Sequence, residues 1–420
     1  METNSTGATP SAGWVKLAKF RLYKNLSGPS PETAWLFDNG LQQCTLWVEV
    51  IGADIGGNPH YFTPDDIRTR LTLIHHAGGQ PLSPDNYVFS FEKNEYEWDE
   101  YVIPGASPPA KGRDAGGAGV NHPTASGDPI PVYVRTNSPP SVALRIAARF
   151  LLPDGTSYAA TNFNVDDPEG EGVGGQFNSS VNLKPVRFPS LPVTSYGDVA
   201  SDGTLNPTPV GSQNYFYGAV EHSLHVNLNG TELRLKSVDG GYSDREFAIY
   251  KRGAFFDDVQ WAISYYRQPD STTVAGLPVY PLDHINVDGR SDAANCNEDP
   301  ENGHAVRVTS TATGNVSEIS TTVRYGRGND SLSTRDSDRT AYKPSAMYDN
   351  LGISAGADPY RVSVGMLQGR SFPATFQDAA GATVADVTQG TLRIHDAHGN
   401  THALSLSFGS QANQVKLRKA

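Results

Sequence analysis

The chain has 420 residues, of which 33 are basic and 45 acidic, so its formal net charge is −12. An acidic chain repels phosphate backbones, which disfavours a nucleic-acid partner. No apolar run approaches the about 18 residues of a transmembrane helix, and two cysteines are too few for a disulfide scaffold. The 42 glycines and 29 prolines predict many turns, while a hydrophobic content of 37% is enough for packed cores.

The first segment, residues 1–13, is polar and is predicted to be a flexible tail. It contains neither the basic stretch nor the apolar stretch of a Sec signal peptide. The composition of the chain, with many turn residues and few charges, is nevertheless typical of extracellular β-proteins. We therefore expect a protein that is extracellular or associated with a particle without a Sec signal, and cytoplasmic before its release.

Alternation of apolar and polar residues recurs along the chain and predicts β-strands. In one such segment Cys44 shares a face with Leu46, Val48 and Val50. This position predicts a buried thiol that acts as a small hydrophobic group.

Two segments near the first strands depart from simple alternation. Thr63, followed by Pro64 and two acidic residues, predicts one helical turn with Thr63 as its N-cap. Residues 95–101 interleave acidic and aromatic side chains, which predicts an edge strand protected by charge.

Residues 144–165 predict a hairpin with Asp154-Gly155 as a two-residue loop. In that register Phe150 lies opposite Ala159, and Phe163 belongs to the apolar face. One register thus places apolar residues on one side and polar residues on the other.

Residues 224–235 predict a second hairpin, because Asn229-Gly230 suits a type I′ turn. Val226 is then expected opposite Leu233.

A third hairpin is predicted over residues 305–325, where Gly314-Asn315 suits a type II′ turn. The pairs expected to face each other are Val306 and Val323, Val308 and Thr321, and Ser310 and Ile319.

Composition divides the chain into five segments. After the tail come a β-sandwich over 14–190 with a Pro/Gly-rich excursion at 104–131, a linker over 191–213, a second β-domain over 214–345 and a small C-terminal β-unit over 346–420. The expected fold class is all-β, with tandem antiparallel sandwiches of immunoglobulin-like or jelly-roll type.

Metal-binding candidates are sparse. Residues 395–402 predict a hairpin turn in which Asp396 binds downstream amides and Gly399 takes a positive φ. A four-residue loop there would bring His395 and His402 together, where they could hold a transition metal.

Two acidic loops, residues 166–171 and 286–292, carry oxygen donors of the kind that Ca²⁺ prefers. In the second loop the donors are Asn286, Asp288 and Asp292. An acidic β-loop is more often simply solvated, so we expect no cofactor, with calcium as the alternative.

Two motifs match enzyme signatures by spacing alone. Residues 352–356 match G-x-S-x-G, but no helix is predicted to follow the serine. Residues 170–175 match G-x-G-x-x-G, but acidic residues precede them and would repel a pyrophosphate. We therefore expect a chain without catalytic residues.

Three functional hypotheses remain open. The leading one is a non-enzymatic structural or adhesive protein of an extracellular or virion-like assembly, which self-assembles as a homo-oligomer or binds a cell-surface receptor or glycan. The second is a pore-forming, insecticidal-type toxin that inserts hairpin 305–325 into a membrane through Val306, Val308, Ile319 and Val323. The third is a lectin-like carbohydrate-binding module in which Tyr215, Tyr217 and Trp261 stack on sugar rings.

Overall fold

Contacts divide the chain into two units, Met1–Pro189 and Ser190–Ala420. The computed structural model describes residues 14–25, 31–98, 102–103, 128–140, 143–165, 169–172, 175–200, 202–210, 217–239, 250–252, 259–267, 269, 274–275, 284–287, 306–313, 316–324, 348–356, 358–370, 374–377, 385–410 and 413–420. The tail 1–13 and most of the excursion 104–131 lie outside the described residues.

The described part of unit 1 consists of strands and one short helix. Its elements are β1 (Trp14–Tyr23), β2 (Glu32–Phe37), β3 (Cys44–Asp54), β4 (Pro59–Tyr61), α1 (Pro64–Arg70), β5 (Leu71–His75), β6 (Tyr87–Ser90), β7 (Ile130–Thr136), β8 (Leu144–Leu151), β9 (Ser157–Ala159) and β10 (Val181–Val186).

The strands of unit 1 form two five-stranded sheets. One has the order β1-β3-β7-β6 with β4 beside β3, and the other has the order β2-β10-β8-β5 with β9 beside β8. All pairs are antiparallel except β2 with β10. Residues of both sheets belong to a single hydrophobic core, which is the arrangement of a β-sandwich.

Strand β3 illustrates how alternation builds this core. Cys44, Leu46, Val48 and Val50 are buried, whereas the residues between them are half-buried. The prediction of a buried Cys44 thiol is therefore confirmed.

The helical turn after Thr63 is also confirmed. The Thr63 hydroxyl accepts the backbone N–H of Asp66, and the Asp66 carboxylate binds the backbone N–H of Thr63 in return. Pro64 occupies the first turn, where its missing N–H costs nothing. The helix buries Ile67 in the core.

The predicted register of the 144–165 hairpin is wrong by one residue. Phe150 pairs with Tyr158 rather than with Ala159. The loop has three residues, because the Leu152 N–H bonds the Thr156 carbonyl. A left-handed Gly155 (φ 87°) closes this loop, as three-residue hairpin loops require. Phe163 is 63% exposed and does not join the core.

The predicted edge strand at 95–101 is also wrong over its described part, which is irregular up to Trp98. The Trp98 indole N–H donates to the Trp35 carbonyl at 2.8 Å, and the Gln42 amide donates to the Glu97 carbonyl. These hydrogen bonds connect residues 95–98 to the rest of unit 1 through side chains rather than through strand pairing.

Unit 2 contains the remaining elements. They are a 3₁₀ helix η1 (Val193–Tyr196) and strands β11 (Thr204–Leu205), β12 (Thr208–Val210), β13 (Tyr217–Leu224), β14 (Asn227–Leu228), β15 (Thr231–Glu232), β16 (Leu235–Asp239), β17 (Tyr250–Arg252), β18 (Val259–Arg267), β19 (Val274–Ala275), β20 (His284–Val287), β21 (Val306–Thr313), β22 (Val316–Arg324), β23 (Tyr348–Gly356), β24 (Val362–Arg370), β25 (Ala374–Gln377), β26 (Gln389–Asp396), β27 (Thr401–Phe408) and β28 (Val415–Lys419).

Three larger sheets organise unit 2. Their orders are β11-β28-β27-β26-β16, β12-β13-β24-β18-β17 with β19 beside β18, and β21-β22-β23. The all-β fold class with antiparallel sheets is therefore confirmed, while the immunoglobulin-like or jelly-roll type stays a prediction.

Strand pairing in unit 2 crosses the domain boundaries that were expected from the sequence. Strand β13 pairs with β24, and β16 pairs with β26, so the expected second domain (214–345) and C-terminal unit (346–420) share sheets. Strands β11 and β12 lie within the expected linker 191–213 and join the same sheets. The linker and the boundary at 345/346 were inferred from local composition, which carries no information on such pairing.

Two hairpin predictions in unit 2 agree with the structure. The Leu233 N–H donates to the Val226 carbonyl, and both turn residues have positive φ, 54° at Asn229 and 88° at Gly230. In hairpin β21–β22 the register matches every predicted pair. Its turn, Gly314-Asn315, lies outside the described residues.

Candidate functional site

The turn between β26 and β27 is built around a buried carboxylate. Asp396 Oδ1 accepts the backbone N–H groups of His398 and Asn400, each at 2.9 Å. The Asn400 side chain donates to Oδ2 at 3.0 Å. Gly399 has φ 85°, so the predicted turn closed by Asp396 is confirmed.

A hydrogen-bonded chain continues from this carboxylate. His402 Nε2 lies 3.1 Å from Asp396 Oδ2, and the Tyr196 hydroxyl lies 3.4 Å from His402 Nδ1. All three side chains are almost fully buried. Sequence reasoning missed Tyr196, because it reaches the turn from η1, about two hundred residues earlier in the chain.

The pKa shifts of Asp396 and Tyr196 favour a structural role for these hydrogen-bonded side chains. Burial raises the pKa of Asp396, but the hydrogen bond and charge of His402, the charge of His398 and the Asn400 amide outweigh it and lower the pKa overall. Burial and the negative charge of Asp396 raise the pKa of Tyr196 to about 12. A hydroxyl that holds its proton so firmly is not activated as a nucleophile.

The expected pairing of His395 with His402 is wrong. His395 lies opposite Thr401, and His402 lies opposite Ile394. The one-residue difference places the two imidazoles on opposite faces of the sheet. His395 instead hydrogen-bonds Asp239 at 2.9 Å on the half-buried face.

Most of the calcium candidates lie outside the described residues. Asn286 lies in β20 opposite Thr375, while Asp288 and Asp292 lie outside the described residues. In the other acidic loop, Glu169 forms an ion pair with Arg21 at 3.3 Å. Among the described residues, no group of three or more His, Cys, Asp or Glu side chains is arranged to hold a metal ion.

The two motifs that match enzyme signatures both take part in backbone hydrogen bonding. The Gly170 carbonyl accepts the Phe20 N–H of β1. Residues 352–356 lie inside β23 and pair continuously with β22. Ser354 therefore lies in a strand and not in the strand-to-helix turn that a nucleophile elbow requires.

The sugar-stacking candidates occupy one row of the six-stranded sheet. Tyr217 and Trp261 both pair with Gly369 of β24, one from each side. Tyr215 lies outside the described residues. Sequence analysis did not identify Gly369, because the row joins three strands that are distant in the sequence.

The membrane-hairpin candidates lie at their predicted register positions. Val306 pairs with Val323, and Val308 and Ile319 occupy the same face of the β21–β22 pair. Strand β23 adds a third strand that the sequence analysis missed, and Ile353 lies opposite Ile319.

Comparison with known proteins leaves the chain without a family assignment. Within the residues described, no helix is both long and apolar enough to cross a membrane. No protein-family model matches the sequence, and no curated protein matches it.

Proposed function

We propose that the chain is a non-enzymatic structural or adhesive β-protein that self-assembles in an extracellular or virion-like particle. The observation that supports this proposal is the pair of long edge strands in the three-stranded sheet. Strands β21 and β23 each pair on one side only among the described strands. Their eight and nine pairs with β22 run without a register shift.

The edges of unit 1 show how side chains protect a strand edge. On β2, the Thr33 and Trp35 carbonyls accept Lys24 and Trp98 side chains, and the Phe37 N–H donates to Gln42. Such side chains occupy the backbone groups that an added strand would need.

Strand β1 is protected in a second way. Two register shifts interrupt its pairing with β3. The Gly170 carbonyl and the Ser179 hydroxyl occupy the N–H groups of Phe20 and Leu22.

Strands β21 and β23 contain neither proline nor a bulge, and each has a single charged residue, Arg307 and Asp349. Edges of this kind are templates for strand addition. Addition of β21 of one copy to β23 of another would form a head-to-tail contact that can extend into a ring or filament.

A lysine substitution at one edge tests this proposal. Thr309 of β21 and Thr322 of β22 lie on the same face of the sheet, at the edge and in the centre respectively. We expect Thr309→Lys to shift the protein from oligomer to monomer in sedimentation velocity, whereas Thr322→Lys keeps the oligomer. Far-UV circular dichroism of both variants controls for folding.

An oligomer that survives Thr309→Lys would contradict edge pairing through β21, and a wild-type protein that is monomeric at high concentration would contradict self-assembly. Negative-stain microscopy and dye release with liposomes address the pore-forming alternative. Rings that form only on lipid, with leakage of an entrapped dye, would replace the structural proposal by that alternative.

A further inference from the structure

The loop between β3 and β4 in unit 1 presents an apolar side chain to solvent. Ile55 is 93% exposed, the largest fraction among the large hydrophobic side chains that the structure describes. Residues 56–59, which follow it, are exposed as well. The segment 55–61 contains no acidic residue, lysine or arginine. Single exposed apolar residues are common on protein surfaces, so the surroundings of Ile55 decide whether it belongs to a binding feature.

Hydrogen bonds within the loop hold Ile55 in this position. The two carboxylate oxygens of Asp54 accept the backbone N–H of Asn58 at 2.8 Å and its side-chain amide at 2.9 Å. The Asp54 N–H donates to the Asn58 carbonyl, and the Gly57 N–H donates to the Asp54 carbonyl. Gly57 has φ 82°, which lets the chain reverse within a few residues. A loop that is already ordered loses little conformational entropy when its tip binds a partner.

The strand that follows the loop adds apolar residues to the same part of the surface. Tyr61 of β4 pairs with Ile51, and Pro59 pairs with Ala53. These two rows are two residues apart along β3, so they belong to one face of the sheet. Tyr61 is 42% exposed and Pro59 is also exposed. Adjoining exposed apolar residues mark an interaction surface more strongly than one residue does.

Positive charge lies on the other side of β3. Lys16 and Lys19 of β1 pair with Ala53 and Ile51, in the same two rows as the β4 residues. Lys16 is exposed, whereas Lys19 forms an ion pair with Glu49 at 3.1 Å. An exposed lysine is therefore set back along the strands from an uncharged loop tip.

We propose that the β3–β4 tip, defined by Ile55, Pro59 and Tyr61, anchors the protein to the surface of a bilayer that contains anionic phospholipids. An aliphatic side chain gains free energy when it leaves water for the boundary between headgroups and acyl chains. Tyrosine is enriched at headgroup depth, because its ring is apolar and its hydroxyl is polar. The negative surface potential of such a bilayer attracts Lys16.

The same features limit the depth of insertion. The exposed backbone of residues 56–58 needs water or headgroups as hydrogen-bond partners, so the loop stays in the interface. A pocket on a partner protein would also accept Ile55. The lysine set back from an uncharged tip matches a lipid surface better, because such a surface is apolar inside and negative at its boundary.

The anchor is independent of self-assembly. Its residues lie in unit 1, whereas the assembly edges β21 and β23 lie in unit 2. Failure of edge pairing and failure of lipid binding are therefore separate results. The anchor also differs from the pore-forming alternative, because a tip that stays in the interface binds vesicles without releasing an entrapped dye.

The test is flotation of the full chain with vesicles in a density gradient. Flotation is preferred to sedimentation, because assembled protein sediments without lipid but rises only with it. The vesicles are phosphatidylcholine alone or phosphatidylcholine mixed with phosphatidylserine. We expect the wild type to float with the mixed vesicles, Ile55→Ser to bind them about tenfold more weakly or worse, and Ile55→Leu to retain binding. Val88→Ser is the matched control, because Val88 is a 39% exposed aliphatic residue of β6 in the same sheet.

A charge variant tests the contribution of the lysine. Lys16→Gln should weaken binding to the mixed vesicles about fivefold and leave binding to phosphatidylcholine unchanged. An equal loss on both kinds of vesicle would contradict attraction of Lys16 by anionic headgroups.

Three results would overturn the anchor as a whole. One is a wild-type chain that floats with neither kind of vesicle. Another is an affinity that Ile55→Ser leaves unchanged. The third is a loss in Val88→Ser as large as that in Ile55→Ser. Circular dichroism of each variant separates lost binding from a lost fold.

Discussion

At the scale of single residues, Asp396 is the centre of the turn between β26 and β27. It is fully buried and binds two backbone N–H groups, an amide side chain and an imidazole. An ionised carboxylate in the interior is tolerated only with partners of this kind. The Asp396 carboxylate therefore holds the β26–β27 turn together, and His402 connects it to Tyr196 of η1.

The first prediction concerns this carboxylate. Asp396→Asn removes the charge and leaves one of the donors without an acceptor, so we expect unfolding to become easier by about 2 kcal/mol. Urea denaturation followed by circular dichroism measures the change. Asp154→Asn is the control, because Asp154 closes a turn in the same way, by accepting the Thr156 N–H, but at an exposed site. Equal losses in the two variants would contradict the role assigned to burial.

A second residue-scale prediction concerns pH. Burial lowers the pKa of His222 to about 4, although the backbone groups of Asn206 and Asn413 favour its charged form. Since the unfolded chain binds this proton near pH 6.5 and the folded chain does not, stability is full above pH 6.5 and falls as the pH drops towards 4. Between pH 7.5 and pH 5 the loss should be about 2 kcal/mol.

Urea midpoints at these two pH values measure the loss, and His222→Leu should reduce it. His76 has a pKa lowered by burial and contributes in the same direction from unit 1. A loss that is as large in His222→Leu as in the wild type would show that His222 is not its source.

At the scale of elements, local chemistry predicted the turns correctly and two registers wrongly, each by one residue. Thr63 with Asp66, Asn229-Gly230 and Asp396 with Gly399 all form the predicted contacts, because each depends on residues a few positions apart. The register at Phe150 was wrong because Gly155 can serve either a two-residue or a three-residue loop, and the choice shifts every pair by one.

The third prediction compares two glycines of unit 1 that share a left-handed conformation. Gly155 has φ 87° with nothing within 4 Å of an added Cβ, whereas at Gly170 (φ 75°) a Cβ would lie 2.6 Å from the Cβ of Arg21. Gly155→Ala should cost about 1 kcal/mol for conformation alone. Gly170→Ala adds a clash with the β1 backbone and should cost at least twice as much.

Urea unfolding monitored by tryptophan fluorescence compares the two variants directly. If their losses are equal, the close approach of the 169–172 segment to β1 does not hold in solution.

At the scale of the whole molecule, the sequence predicted the fold class and a boundary near residue 190, where contacts divide the chain, but not which strands of unit 2 share a sheet. Alternation is a local property, so it identified an all-β chain. Which strands share a sheet depends on pairs such as Ala219 with Leu367, and no local sequence pattern predicts such a pair. The candidate sites follow the same rule, because the Tyr217–Gly369–Trp261 row and the contact of Tyr196 with His402 both join distant segments.

The net charge of −12 bears on assembly as well. Like charge on every copy opposes association, and salt screens that repulsion over about 10 Å at 0.1 M. Edge pairing has to overcome this repulsion through backbone hydrogen bonds. Strands β21 and β23 carry one charged residue each, so they add little repulsion at the contact itself.

Self-assembly is tested by negative-stain microscopy of the purified wild-type chain, with and without liposomes. If β21 and β23 pair between copies, the sample without lipid contains filaments or oligomers of fixed symmetry. Isolated monomers in both samples would contradict self-assembly through β21 and β23.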